Sequence, residues 1–295
     1  MMQTNKRYSG LALLTDLDGT LLMPDKTVSE QDAAAIADFR DQGGIFSIAT
    51  GRGIQATREF LTLLKPDFAA VTYNGALLWD SAADRPLNCG ASYLPKGIRT
   101  LLEELAVAFP HVGAEVLNAS GVYVFQDGEY ERQHLEITHI PFIMKTLDEV
   151  DPEQCFKALF AGAPEDISEM LEYVKQERFS AVNFTRSHRW FLEMLPHNTN
   201  KGTALEKIRP TLPEGTIIGA TGDFDNDIAM LLAADRCGCP ADSQPAVIEA
   251  VRSKGGFVSG KTCADGFFAD WLNWFTASVE VSPMDLKWGA PHAAL

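Results

Sequence analysis

The chain has 295 residues, 46% of them hydrophobic and 22% charged, which is the range of globular proteins and a length natural for two domains. Its 40 acidic against 25 basic side chains give a formal charge of −15. That balance excludes nucleic acid as a general partner, because phosphate backbones demand a basic surface, but leaves room for a small anionic substrate if the site supplies its own cations.

Met1 to Gly10 is polar, and the apolar stretch after it is cut short by Asp16, so neither a signal peptide nor a membrane span is expected. Leu11–Thr15 reads as a buried strand. Ser29 is a plausible N-cap for a helix over 30–42, with Asp32 at the box position, and Gly43-Gly44 ends it. A strand over 45–49, a helix over 54–64 and a strand over 68–73 follow. Strands alternating with helices of this length indicate a parallel, doubly wound sheet. Asn74-Gly75 reads as a hairpin turn between 70–73 and 76–79.

From roughly residue 84 the pattern changes to a helix over 96–109, strands over 113–117 and 122–126, a strand over 156–161, a helix over 165–176, and strands over 180–185 and 190–195. This describes an α+β unit with a mostly antiparallel sheet and helices on one face. After Pro196 the alternation returns: helix 201–208, strand 216–219, helix 225–233, strand 236–239, helix 245–253 and helix 264–276. The fold expected is α/β: a mostly parallel, Rossmann-like core of residues 1–83 and 198–295, interrupted by an α+β cap of residues 84–197. Residues 278–295 read as a loosely held tail. Five Cys, at 89, 155, 237, 239 and 263, form no paired framework, which suggests reduced thiols and a cytoplasmic protein.

Two acidic clusters carry the chemistry: Asp16-Leu17-Asp18-Gly19-Thr20, and Gly222-Asp223-Phe224-Asp225-Asn226-Asp227, each after an apolar run. Carboxylates at the ends of buried strands are costly unless compensated. If the two strands are neighbours in one parallel sheet, their tips bring these acids together where such sheets bind ligands, and an all-oxygen set suits Mg²⁺. Calcium loops do not fit, since Leu21 and Thr27, or Ile228 and Ala234, stand where a Gly and a Glu are needed. A carboxylate can attack phosphorus to form an acyl phosphate, and a second, two residues along, can protonate the leaving oxygen and later deprotonate water.

This pair of clusters resembles the haloacid dehalogenase-like superfamily of phosphatases. Ser47-Ile48-Ala49-Thr50-Gly51-Arg52 is similar to its second motif and Asn200-Lys201-Gly202-Thr203-Ala204-Leu205 to its lysine motif. Tyr73-Asn74-Gly75-Ala76 and Glu193-Met194-Leu195-Pro196 are similar to the Cof-type branch, whose cap lies between those two motifs. The resemblance implies Asp16 as nucleophile and Asp18 as general acid/base. Mg²⁺ would be held by Asp16, Asp223 and the Asp18 carbonyl, with Asp227 supporting. Thr50, Gly51, Arg52, Lys201 and Asn226 would contact the phosphorylated substrate, a small metabolite such as a sugar phosphate. Mg²⁺ and Lys201 supply the positive charge that phosphoryl transfer needs. A phosphomutase on the same scaffold is the alternative.

Gly51-Arg52-Gly53-Ile54-Gln55-Ala56 fits a dinucleotide fingerprint, but the next strand ends in Tyr73-Asn74 rather than the acid such a site needs. Gly255 to Thr262 fits a P-loop pattern around Lys261, yet a helix precedes it and none follows directly, so a loop around a short strand at Phe257-Val258 is preferred. Trp271, Trp274 and Phe275 fit the buried face of a terminal helix. Cys237-Gly238-Cys239-Pro240-Ala241-Asp242 stands where Cof-type sequences carry a Gly-rich stretch ending in Asn-Ala. Arg186, His188, Arg189 and His197 are polar candidates for substrate selection.

Overall fold

A computed structural model describes residues 6–279; the expected loose tail from residue 280 onward lies outside the described residues. In chain order the elements are β1 (Leu11–Thr15), α1 (Glu30–Asp41), β2 (Ile45–Ile48), α2 (Ile54–Leu64), β3 (Ala70–Thr72), β4 (Leu77–Asp80), β5 (Arg85–Ala91), α3 (Ile98–Ala108), β6 (Gly113–Asn118) and β7 (Gly121–Gln126). They continue with α4 (Glu129–Thr138), β8 (Phe142–Met144), β9 (Lys157–Ala161), α5 (Pro164–Tyr173), β10 (Val182–His188), β11 (Phe191–Pro196), α6 (Lys201–Ile208) and β12 (Ile217–Thr221). The last are α7 (Ile228–Ala233), β13 (Arg236–Cys239), α8 (Pro245–Ser253), β14 (Phe257–Val258) and α9 (Phe267–Ser278).

The core sheet runs β14-β13-β12-β1-β2, all parallel. Its two faces are sorted by the strand period of two. Leu11 and Leu13 of β1 pack with Phe46, Phe39, Trp271 and Phe275 under α1 and α9, while Ala12 and Leu14 pack with Leu205, Met230 and Val251 under α6, α7 and α8. Burying apolar surface on both faces, at roughly 25 cal/mol per Å², is what allows β1 and β12 to be continuous apolar runs. Chain order steps outward from the middle, β1 to β2 on one side and β12 to β13 and β14 on the other. The β1–β12 seam is therefore the switch point of the sheet, where the strand tips leave an open crevice. The expected Ser29 cap is present: its Oγ accepts from Asp32 N at 3.0 Å, and the buried Asp32 carboxylate accepts from Ala269 N, fixing α1 against α9.

β3, β4 and β5 form a small antiparallel sheet, joined to the core by a parallel bridge between Ala49 and Val71. The expected start of the insertion near residue 84 falls inside the β4–β5 hairpin. The Asn74-Gly75 turn is present, with Tyr73, Asn74 and Gly75 all at positive φ.

A second, six-stranded sheet runs β10-β11-β9-β6-β7-β8 and is antiparallel except where β7 meets β8. One face, with Val116, Phe160, Leu192 and Met194, packs against α3 and α5. The other face is not bare: α4 lies on it, with Leu135 packed among Leu117, Val122 and Leu159. Helices thus cover both faces rather than one, because the polar stretch Glu129–Thr138 folds as a helix over the side that turns toward the core domain. Among the described residues, no helix is long and apolar enough to cross a membrane.

Candidate active site

The two acidic clusters meet at the β1–β12 seam. Thr15 Oγ1 and Thr221 Oγ1 lie 2.7 Å apart across the strand tips, and Asp16 N donates to Thr221 O at 3.0 Å. The chain then turns at Gly19, whose φ of +76° suits glycine, and a Cβ there would stand 2.5 Å from Asp223 Oδ2. The absence of that Cβ lets the first loop press against the second. Thr20 Oγ1 donates to Asp223 Oδ1 at 2.8 Å, completing the joint.

Lys201, at the start of α6, enters this cluster fully buried. Its Nζ donates to Asp16 Oδ1 and to Asp227 Oδ1, each at 2.6 Å. Asn200 caps that helix and Gly202 packs on Ala229, so the lysine is delivered by a rigid element. Asp227 spends its other oxygen on the backbone N–H groups of Asp223 and Phe224 at 3.0 and 3.1 Å. Asp227 is therefore a brace, and its Oδ2 holds the second loop in shape.

Ligand oxygens of Asp16, Asp223 and Asp227 come within 4.8 Å of one another. Burial pushes the Asp16 carboxyl up to about 7, against the pull of Lys201, with Asp227 and Asp18 adding repulsion. Burial, with repulsion from Asp16 and Asp227, pushes Asp223 well up. Burial disfavours the ammonium of Lys201, but Asp16 and Asp227 outweigh it and hold the lysine charged. Two buried carboxylates and a half-buried third against one cation is a set short of positive charge. With only oxygen donors, and Oδ1 of both Asp16 and Asp223 already bonded to protein, the chemistry left over is that of a hard divalent cation.

Asp18 faces the same space but is differently held. Burial would raise its carboxyl, yet Arg52 and Lys26 override this and keep it well below the usual carboxylate range. Arg52 binds it two-fold, Nε to Oδ2 at 2.6 Å and Nη2 to Oδ1 at 2.7 Å, and Lys26 adds a bond of 2.7 Å. Thr50 is buried at the tip of β2 and accepts from Arg52 N at 3.1 Å. Asn226 is nearby, with its Nδ2 donating to Asn74 Oδ1 at 2.9 Å and its own Oδ1 buried without a partner.

A cavity of about 450 Å³ lies between these strand tips and the six-stranded sheet. Asp16, Asp18, Thr50, Gly51, Arg52, Asp223 and Asn226 line its floor. Lys201 and Asp227 stand behind that floor and reach it through Asp16. Lys261, by contrast, pairs with Asp270 at 3.4 Å at the surface, in a loop around β14, and does not line the cavity. Trp271 and Phe275 are core residues, as their spacing requires.

A family model described as haloacid dehalogenase-like hydrolase matches residues 13–268. The chain belongs to that family. Among curated relatives, it is 28% identical over 222 residues to 5-amino-6-(5-phospho-D-ribitylamino)uracil phosphatase YitU of Bacillus subtilis (strain 168), covering 73% of this chain and 81% of that one. It is 27% identical over 226 residues to HMP-PP phosphatase of Serratia proteamaculans (strain 568), covering 73% and 78%. The fold matches SMU.1108c from Streptococcus mutans UA159 with a TM-score of 0.77 at 17% identity, over 90% of this chain and 98% of that one. It matches the HAD subclass IIB sugar phosphatase BT4131 with a TM-score of 0.74 at 18% identity, over 90% and 98%.

In this haloacid dehalogenase-like hydrolase, Glu193 of the Cof-type motif and the candidate His188 stand at the cavity, and with them Lys157, Glu115, His134, Trp190 and Phe191, which no motif had named. Lys157 of β9 and Glu193 of β11 form a buried ion pair of 2.7 Å. Lys157 Nζ also donates to Gly51 O at 2.8 Å, and Glu193 Oε2 accepts from Asn74 Nδ2 at 2.8 Å. These bonds tie the six-stranded sheet to the floor at Gly51 and Asn74. Glu115, His134, His188, Trp190 and Phe191 also line the cavity from above. A signal was available: Glu115, Lys157 and Glu193 interrupt apolar strands at alternate positions, as residues sharing one face of a sheet do.

Proposed function

We propose that this hydrolase is a Mg²⁺-dependent phosphatase acting on a small phosphorylated metabolite through an aspartyl-phosphate intermediate. The observation that carries this is the meeting of Asp16, Lys201, Asp223 and Asp227 at one point beneath the cavity. The phosphatase names of the relatives, and the small phosphorylated compounds in them, support the same reading. We read the six-stranded sheet with α3, α4 and α5 as a cap inserted between residues 92 and 197, since Ser92 N still bonds to Ala76 O beside the core hairpin.

Asp16 and Asp223 would hold Mg²⁺, which supplies charge neutralisation at the phosphoryl oxygens when bound. Asp227 keeps the second loop and Lys201 in place. Asp16 attacks phosphorus as the ester P–O bond breaks, and the departing oxygen takes a proton from Asp18. Asp18 then accepts a proton from the water that cleaves the acyl phosphate, restoring Asp16 and releasing phosphate. Lys201 fixes the rotamer of Asp16 and opposes the charge that builds up there.

As it stands, Asp18 is an ion pair with Arg52 and has no proton to give. A substrate phosphoryl group is the natural competitor for that guanidinium, since Arg binds phosphate two-fold as readily as carboxylate. Arg52 turning toward the phosphoryl oxygens would bind the anion and free Asp18 in one movement. Thr50 and the Gly51 backbone would complete the cradle at the N-terminus of α2.

The test is a screen for phosphate release across small phosphate monoesters, with Mg²⁺ and with chelator. Turnover that needs Mg²⁺ and vanishes in Asp16→Asn supports the proposal; metal-independent turnover, or an Asp16→Asn enzyme of wild-type rate, would refute it.

A further inference from the structure

The cavity ceiling holds chemistry that hydrolysis itself does not use. β6 turns Glu115 and Leu117 downward, β9 turns Lys157 and Leu159, and β11 turns Phe191 and Glu193. Lys157 and Glu193 are spent on each other and on the floor. Glu115 is not: it is 1% exposed, and its Oε2 is buried without a hydrogen-bond partner. Its neighbour is Glu131 of α4, whose carboxyl is buried too.

Two buried acids in contact share a proton rather than ionise together. Burial, then the Glu115 charge, push Glu131 up to about 10. Burial pushes Glu115 up to about 7, with the hydrogen bond from Glu131 holding it from going higher. The pair holds one proton between them, and the bond it makes still leaves Glu115 Oε2 without a partner. A buried acceptor oxygen left so is costly and calls for a donor. Because Glu115 lines the cavity, an occupant can supply one.

The wall beside it is aromatic. His188 lies 5.0 Å from Trp190 and 5.3 Å from Phe191, and His134 lies 4.7 Å from Phe191, ring centre to ring centre. Burial pushes the imidazole of His134 down to about 4 and also lowers His188, so both are neutral rings near pH 7. Flat surfaces of this kind suit a flat ring. A sugar presents hydroxyls on most of its carbons and needs a polar partner for each, whereas Leu117, Val122 and Leu159 give this ceiling an apolar middle.

We propose that Glu115 determines specificity in the leaving-group pocket, and that the substrate is a phosphate ester of a flat, nitrogen-containing ring whose N–H donates to Glu115 while its face lies against Trp190 and Phe191. This rests on the phosphatase reading and adds the chemical class of the leaving group. The pocket size, about 450 Å³, is ample for one such ring with its phosphoryl group.

The experiment compares kcat/KM for aminopyridylmethyl phosphate, benzyl phosphate and glucose 6-phosphate, in the wild type, Glu115→Gln and Glu115→Leu. In the wild type the aminopyridine ester should exceed benzyl phosphate by about 100-fold, because a site built to accept a hydrogen bond discriminates strongly against an analogue lacking the donor. It should also exceed glucose 6-phosphate. In Glu115→Leu that ratio should fall to within about threefold, with Glu115→Gln between, since an amide keeps one acceptor oxygen. An equal wild-type rate on benzyl and aminopyridine esters, a preference for glucose 6-phosphate, or an undiminished ratio in Glu115→Leu each overturns the proposal. Should Glu115→Leu not fold, the wild-type ratio and Glu115→Gln decide. Hydrolysis of p-nitrophenyl phosphate by the wild type separates the two readings. If it proceeds while the ester ratio is flat, only this proposal fails; if it is absent with Mg²⁺ present, the phosphatase reading fails first.

Discussion

The floor and the ceiling of the cavity both bury charge, but they compensate it in different ways. On the floor, Asp16 and Asp227 come from loops that follow directly on β1 and β12, and one lysine at a helix start answers both at 2.6 Å. Every member sits at a strand tip or helix end, where the backbone fixes it. In the ceiling, Glu115 and Glu193 come from inside β6 and β11 and Lys157 opens β9, and only two of the three neutralise each other. In the function proposed above, the floor answers a charge that arrives with the substrate and its metal, and the ceiling answers the shape and donors of whatever the phosphate is attached to. That reading puts chemistry at the sheet's switch point and selection on one face of the six-stranded sheet.

The largest expected effect lies on the floor. Asp16→Asn keeps the shape but removes the nucleophile, and kcat on p-nitrophenyl phosphate should fall by about 10⁴-fold or more, with an unchanged far-ultraviolet spectrum. A loss below tenfold would place the nucleophile elsewhere. Lys201→Met comes next: it leaves Asp16 and Asp227 buried without their cation, and removing one partner of such a pair costs about 3–5 kcal/mol of stability. Chemical denaturation should show that loss together with a fall in kcat; a variant as stable as the wild type would contradict the central role given to this lysine.

Lys157→Met sharpens the contrast, because it strips Glu193 of its partner and unties Gly51 from the ceiling. Stability should fall by about 3 kcal/mol, and Lys157→Met combined with Glu193→Leu should recover part of it, as replacing both members of a buried pair costs less than breaking it. Equal melting of the single and double variants would show the pair to be dispensable.

The smallest effect concerns pH. Burial pushes Asp16 up to about 7, so in the metal-free protein it binds a proton more tightly when folded than when unfolded. The folded state then gains from Asp16 at low pH and loses that gain as pH rises from the ordinary carboxylate range toward 7. Mg²⁺ must displace that proton, so the rise in Tm on adding Mg²⁺ should be small near pH 5 and larger near pH 8. A Tm shift independent of pH would remove Asp16 from the metal set.

The floor was legible because its residues are adjacent in sequence to strong local signals. Apolar runs end in Asp16 and after Thr221, and Asn200 caps the helix that Lys201 opens. The doubly wound core followed from the same strand and helix periods. The ceiling was legible only at Glu193 and His188, and the rest was not for a physical reason: a charged residue alternating with apolar ones, such as Glu115 in β6, reads as the solvent side of a strand. Here that side faces the cavity. Three elements escaped notice as well. β5 opens with Arg85-Pro86, which looks like a turn, α4 is so polar that its helical period is faint, and β8 is only three residues long. All three depend on what packs against them rather than on their own propensity. Arg52 was expected at the substrate, and it lines the cavity, but its grip on Asp18 depends on two loops meeting and leaves no trace in the spacing.

The most direct test of the central claim is to mix the enzyme with Mg²⁺ and p-nitrophenyl phosphate, quench in acid during turnover, and map the labelled peptide by mass spectrometry. A single phosphoryl group on the peptide carrying Asp16, absent from Asp16→Asn and from the metal-free reaction, is the result predicted here. A phosphoryl group on another residue, or steady turnover with none trapped on Asp16, would contradict it.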